Sequence, residues 1–222
     1  MARAPNPLLL PALRDAATDV FAEHGLAASK VSDITVRAGV SKGAFYLHFE
    51  SKEALYEQIA RDFVDEVVAH LSAYQQQLRG AGAVPGPEVM ERLTGADEAL
   101  LDLLWTRRKP LAMVLQGAVG TPSAKLTDEF IDAIERTMLD SVTRHHAELA
   151  LPAPLQPSFI AAMATGLIVM YARRLLIAKE RPQIAADVGR FRRIITLGAV
   201  LSDEQIDGLL GQLLAPPLAV AS

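Results

Sequence analysis

At 222 residues, half of them apolar, the chain is long enough to bury a sizeable core and too apolar to be disordered by default. Its 22 basic residues stand against 26 acidic ones, a net charge of −4, which is not the balance of a generally basic nucleic-acid binder. With no cysteine, a disulfide framework and thiol catalysis are both excluded.

Residues 1–9 read as an arm with Arg3 as its one basic residue. Prolines at 5, 7 and 11 and the lack of a small-residue cleavage site argue against a signal peptide. Pro11 suits the first turn of a helix. Leu13, Ala16, Ala17, Val20 and Phe21 then recur at i, i+3, i+4, i+7 and i+8, one apolar face of a helix that Gly25 ends. Ser29 is placed to cap a short helix, with Asp33 near its positive end and Val31, Ile34 and Ala38 on one face. Gly39 stands where a left-handed C-terminal cap is needed, and Val40 is apolar inside the turn. Ser41 caps a second short helix, Lys42 to Phe49, whose Phe45 and Phe49 point inward while Tyr46 and His48 face out. Two short helices joined by a tight glycine-containing turn describe a helix-turn-helix, whose second helix enters the DNA major groove.

The run AGVSKGAFYLHFESKEAL, with AATDVFAEHG before it, resembles the N-terminal DNA-binding domain of TetR-family transcriptional regulators from about Leu13 to Leu55. Phe21, Gly25, Ile34, Ala38, Gly39, Val40, Ser41, Gly43, Tyr46, His48, Phe49, Ser51 and Lys52 match at fixed spacing. The resemblance implies that Ser29, Tyr46, His48 and Lys52 hold phosphates, and that Arg37, Lys42 and Ala44 lie near base edges. Gly43 would let the backbone approach, with Lys30 and Ser41 completing the DNA-binding set. Phosphate contacts fix register, whereas base-edge contacts carry sequence information. Two departures stand out: the arm is poor in basic residues, and Thr35 replaces a usual alanine, its hydroxyl expected to bond a backbone carbonyl.

Ser51 caps a fourth helix in which Leu55, Ile59, Phe63, Val67, Leu71 and Leu78 recur at helical spacing. It is expected to run over 52–79, roughly 40 Å at about 1.5 Å per residue, linking a DNA-binding domain (1–52) to a larger remainder (53–222). GAGAVPG breaks it. Further helices are expected at 87–107, 110–119, 122–148, 157–180, 183–200 and 203–214, with prolines 87, 110, 122, 157 and 182 at or beside their starts. Charge is uneven: residues 1–52 carry six Lys/Arg against five acids, and the rest sixteen against twenty-one. The expected fold is all-α, a three-helix helix-turn-helix domain followed by a helical ligand-binding and dimerisation domain.

Segment 157–180 is apolar all round in its first two-thirds, so it must be covered on both faces. Its unbroken uncharged part, Ser158 to Ala172, is short for a membrane span. By the resemblance this helix and 183–200, with Ile184, Val188, Phe191, Ile195 and Val200 as its stripe, bundle with the same helices of a second subunit. That homodimer would sit on a pseudo-palindromic double-stranded operator. The resemblance also implies a pocket for a hydrophobic or aromatic effector. Trp105, Met113, Gln116, Phe130 and Met138 are candidate lining residues, joined by Met163, Leu167, Met170 and Tyr171 from 157–180. Met and aromatic side chains with a few polar groups suit such a site. No cofactor, metal site or catalytic residue is implied. The competing reading is a helical enzyme using His145 or His146 with Asp140 or Glu148 as acid–base residues. The reading favoured here is a cytoplasmic, ligand-released transcriptional repressor.

Overall fold

The computed structural model describes residues 9–76, 87–149, 155–183, 187–191 and 202–214. Among them every regular element is helical: α1 (Leu9–Ala28), α2 (Val31–Ala38), α3 (Lys42–Tyr46), α4 (Lys52–Gln76), α5 (Pro87–Thr106), α6 (Arg108–Ala112), α7 (Lys125–Leu149) and α8 (Pro157–Ile177). A terminal helix spans Asp203–Leu214, and residues 187–191 are helical. Of the expected stripe on 183–200, Val188 is half-buried and Phe191 exposed, while Ile184, Ile195 and Val200 lie outside the described residues.

The apolar stripes of α1 and α4 account for the first half of the core. Leu13, Ala17, Val20 and Phe21 face Leu55, Tyr56, Ile59 and Phe63, all buried. Phe21 meets the edge of Tyr56 at 5.1 Å, a favoured geometry for aromatic rings. One buried cluster runs on through Leu104, Leu111, Met113, Phe130 and Ile134 to Leu175, so the core is continuous past Lys52. α7 packs on both α8 and the long α4, and Phe63 lies near Phe130 at 6.0 Å.

The expected single helix over 110–119 is in fact α6 followed by a π-helical turn, Met113–Gly117. Such wide turns are rare and short, and here a side chain also donates into one. The buried Tyr56 hydroxyl donates to the carbonyl of Met113. Burial pushes the Tyr56 phenol well above its ordinary pKa, so it stays a donor. Gly117 is the partner of this contact: a Cβ there would lie 2.7 Å from the Tyr56 hydroxyl oxygen. Gly25, at φ +73°, closes against the same turn, its absent Cβ 3.2 Å from the Gly117 carbonyl oxygen. Two bare backbones and one phenol thus lock α1 and α4 to the turn.

The α8 helix is longer than the uncharged stretch suggests, because it continues through Arg173 and Arg174 to Ile177. By length and apolarity it is sufficient to cross a membrane, and it is the only such helix among the described residues. One of its faces packs on α7. The other leaves Phe159, Met163, Met170 and Ile177 exposed, spaced at four, seven and seven residues. Among the described residues the coverage expected on both faces is met on one. Arg108 closes the helix by donating to the carbonyls of Leu176 and Ala178 at 3.0 and 2.9 Å while lying 4.3 Å over the Trp105 ring.

Gly117→Ala is expected to destabilise by about 1–3 kcal/mol through overpacking, a fall in melting temperature of roughly 2–4 °C per kcal/mol at this chain length. In a Tyr56→Phe background the obstructing oxygen is gone. The same change should then cost far less, which a thermal-melt double-mutant cycle will read directly.

Candidate nucleic-acid interface

The helix-turn-helix is held by caps its sequence encodes. Gly39 is left-handed (φ 67°) and closes α2 by its own amide to Val36, with Val40 bonding back to Thr35 at 2.9 Å. Ser41 Oγ accepts the Ala44 amide at 3.2 Å to start α3, and Ser51 Oγ accepts the Ala54 amide at 3.0 Å to start α4. Phe45 and Phe49, 5.5 Å apart, are buried beneath α3. The Thr35 hydroxyl donates to the Ser32 carbonyl at 3.2 Å, as its replacement of alanine suggested.

That packing leaves one polar surface. Lys30, Ser41, Lys42, Gly43, Tyr46 and His48 are exposed, and Ala44 is half-buried among them. Tyr46 stands 58% exposed with its ring edge-on to Phe45 at 5.3 Å, which fixes its direction. From Ser41 to Phe49 the chain carries no carboxylate, so this face is suited to a phosphate backbone.

Three members of the predicted set are engaged elsewhere in the fold. Ser29 is 2% exposed, and its hydroxyl donates to the Gly25 carbonyl at 2.6 Å instead of capping α2. The α2 cap falls one residue later, where the Asp33 carboxylate accepts the Lys30 amide at 3.1 Å. Lys52 Nζ donates to the carbonyls of Leu26 and Ser29 at 2.7 Å each and reaches Ala27 at 3.4 Å. Its cation therefore closes the C-terminal end of α1, where the helix dipole favours positive charge. Arg37 is gripped by both Glu23 oxygens at 2.7 Å, and its guanidinium holds that carboxyl below the ordinary range. A base-edge role for Arg37 would require breaking a bidentate pair.

The sequence reading overlooked two side chains that the structure brings forward. Val36 and Leu47 are 80% and 82% exposed. A signal for both was present, since each lies two residues, about 200°, from a core position (Ile34; Phe45 and Phe49).

The candidate ligand residues differ in exposure. Met113 and Phe130 are sealed in the core, with no surface to offer a ligand. Gln116, Met163 and Met170 point to solvent, the last two on the open face of α8, so they cannot line an enclosed cavity in one chain. Trp105, Met138, Leu167 and Tyr171 are half-buried. Of the acid–base alternative, Asp140 and His146 are six residues apart on α7 and point about 120° from each other. The side chains of His145 and Glu148 lie outside the described residues.

Short capped helices over a Phe pair, with a carboxylate-free outer face, define a helix-turn-helix DNA-binding protein of all-helical build. The model of the bacterial regulatory proteins, tetR family, matches residues 13–59, the segment that carries the helix-turn-helix and the start of α4. The HTH-type transcriptional repressor KstR2 of Mycolicibacterium smegmatis is 40% identical over 79 residues, 36% of this chain and 35% of that one. With KstR2 of Rhodococcus jostii the covered share of the relative is 27%, so the chain spans only about a quarter to a third of these relatives. Two solved structures share the fold over most of the chain. SmeT, the repressor of the Stenotrophomonas maltophilia multidrug efflux pump SmeDEF, is 20% identical with a TM-score of 0.64, over 87% of this chain and 90% of that one. The transcriptional regulator FadR from Bacillus subtilis, in complex with stearoyl-CoA, is 17% identical with a TM-score of 0.62, over 86% and 100%.

Lys52→Ala should act through the fold. Losing hydrogen bonds from a charged donor costs about 1.5–3 kcal/mol, so the thermal midpoint should drop by roughly 3–12 °C. Lys42→Ala, at an exposed side chain with no ion pair among the described residues, should leave that midpoint within about 1–2 °C while weakening DNA binding. A melt run beside a binding titration separates the two roles.

Proposed function

We propose that the chain is a homodimeric transcriptional repressor that holds a pseudo-palindromic operator and is released by a hydrophobic or aromatic small molecule. The observation that carries the reading is the surface of α3: Lys42, Gly43, Tyr46 and His48 stand free above a rigid Phe45–Phe49 base, within the segment matched to the family. Lys30 and Ser41 border it, and Lys42 with Ala44 are the residues assigned to base edges.

Dimerisation is supported by the open face of α8, where Phe159, Met163, Met170 and Ile177 are exposed among the described residues. A patch of this kind is expected at an interface between subunits. An apolar effector is supported by the stearoyl-CoA held by the Bacillus subtilis FadR structure, with Trp105, Met138, Leu167 and Tyr171 as the half-buried residues nearest to that purpose. Release needs the ligand to prefer the DNA-incompetent arrangement, since equal affinity for both shifts nothing. Such a protein works in the cytoplasm, beside its DNA.

The purified chain should bind duplex DNA from its own upstream region in fluorescence anisotropy, with log affinity falling linearly against log salt. Tyr46→Ala should abolish saturable binding without changing the melt. Met170→Glu should turn the sedimenting species from dimer to monomer and weaken operator binding with it. Salt-independent binding, or a monomeric wild-type chain that still binds a palindrome, would overturn the reading.

A further inference from the structure

The outermost strip of α3 carries no side chain able to hydrogen-bond a base. Opposite Phe45 and Phe49, at about 200° from each, stands Leu47, with Gly43 one turn before it and Ala44 alongside. Leu47 is 82% exposed, the most exposed large apolar residue among those described. Nothing in the fold covers it. Lys42, Tyr46 and His48 flank the strip, and the nearby Arg37 guanidinium is occupied by Glu23 through two 2.7 Å bonds.

Gly43 supplies a second, independent observation. Its φ is not positive, and a Cβ built there would meet only the Ser41 hydroxyl oxygen at 3.7 Å, an ordinary contact. The fold therefore has no need of glycine at this position, where it is a poorer helix former than alanine. A bare backbone that the chain itself does not require, one turn from an unprotected leucine, fits close approach by something outside the chain.

We propose that Leu47 and Ala44 read thymine 5-methyl groups in the major groove, with Gly43 letting the helix sit close enough for them to touch. The inference rests on the DNA-binding reading above. Among base edges, the thymine methyl is the one group an aliphatic side chain can recognise; guanine, adenine and cytosine edges are told apart by hydrogen bonds. The strip adjoins the carboxylate-free face already described, so the phosphate-holding and base-reading surfaces are continuous.

The test uses the full chain. A duplex is selected from a random-sequence library, footprinted, and its thymines are replaced singly by uracil, which pairs identically and lacks the methyl. At one or two positions under α3, uracil should weaken wild-type binding about fourfold, the scale of one buried methyl. Leu47→Ala, at an exposed position that leaves the fold intact, should lose that penalty at its own base pair. Gly43→Ala should keep or raise the melting temperature while weakening the selected duplex roughly tenfold, as one methyl forced into a close contact does. A uracil penalty that is absent, or unchanged in Leu47→Ala, would overturn the inference and leave DNA binding standing; a partner protein docked on Leu47 would give that result. If no duplex is retained from the library, the DNA-binding reading falls and this inference with it.

Discussion

The hydrogen bond from the Tyr56 hydroxyl to the Met113 carbonyl is the contact on which the arrangement of the helices depends. Tyr56 stands near the start of α4, the helix shared by the helix-turn-helix and everything after it. Its phenol reaches into a π-helical turn whose backbone also touches the end of α1 at Gly25. Because Gly117 has no side chain, α4 can approach the turn closely; because Gly25 has none, α1 can follow. Interiors packed this tightly move between discrete arrangements rather than deforming smoothly. A change in the turn would therefore displace α1 and α4 together, and with them the orientation of α3. Around this centre, exposed ion pairs such as Lys109–Asp19 at 2.6 Å and Arg107–Glu66 at 3.1 Å set direction more than stability.

Much of the helix-turn-helix was legible because its determinants are local. Caps by Ser41 and Ser51, the left-handed Gly39 and the inward pair Phe45 and Phe49 each follow from residue type and spacing over a few positions. What spacing could not show is side chains whose partners are distant in sequence. Ser29 and Lys52 have the chemistry of phosphate holders, and only the folded end of α1 reveals that Lys52 spans 26 residues to its carbonyl partner Leu26. Arg37 looks like a base reader until Glu23, fourteen residues earlier, appears against it. Periodicity also cannot see a π turn, since one extra residue in a turn leaves the apolar pattern nearly unchanged; what marks it is Gly117 beside a buried phenol.

In the second half, most helix positions among the described residues were legible, 110–119 excepted, and side-chain destinations were not. Composition cannot distinguish a buried Met113 from an exposed Met170, because both belong to apolar runs. On α8 the uniform apolarity pointed to coverage on both faces; among the described residues α7, α6 and α5 cover part of it, and the face of Phe159, Met163, Met170 and Ile177 stays exposed. A shortfall of that kind concerns a surface outside the chain, and it carries more weight than any individual pocket residue. It also explains why so apolar a helix need not be read as lipid-facing: Arg173 and Arg174 stand exposed within its last turns.

Charge and symmetry then belong to one argument. A chain of net charge −4, with six basic residues against five acids in its first 52 positions, cannot obtain strong operator binding from counterion release alone. Three of those six, Arg14, Arg37 and Lys52, are already held by Asp62, Glu23 and the end of α1. The phosphate grip of one helix-turn-helix is correspondingly small. Two ways of raising affinity remain that need no further charge. One is close steric fit at the base edges, which the bare Gly43–Ala44–Leu47 strip allows. The other is linkage of two weak sites, where binding of the first places the second at high effective concentration. In the proposed dimer, the face of α8 left exposed among the described residues would provide that linkage. A protein built this way would gain its specificity from geometry, and anything that altered the distance between the paired recognition helices would cost it most of its affinity.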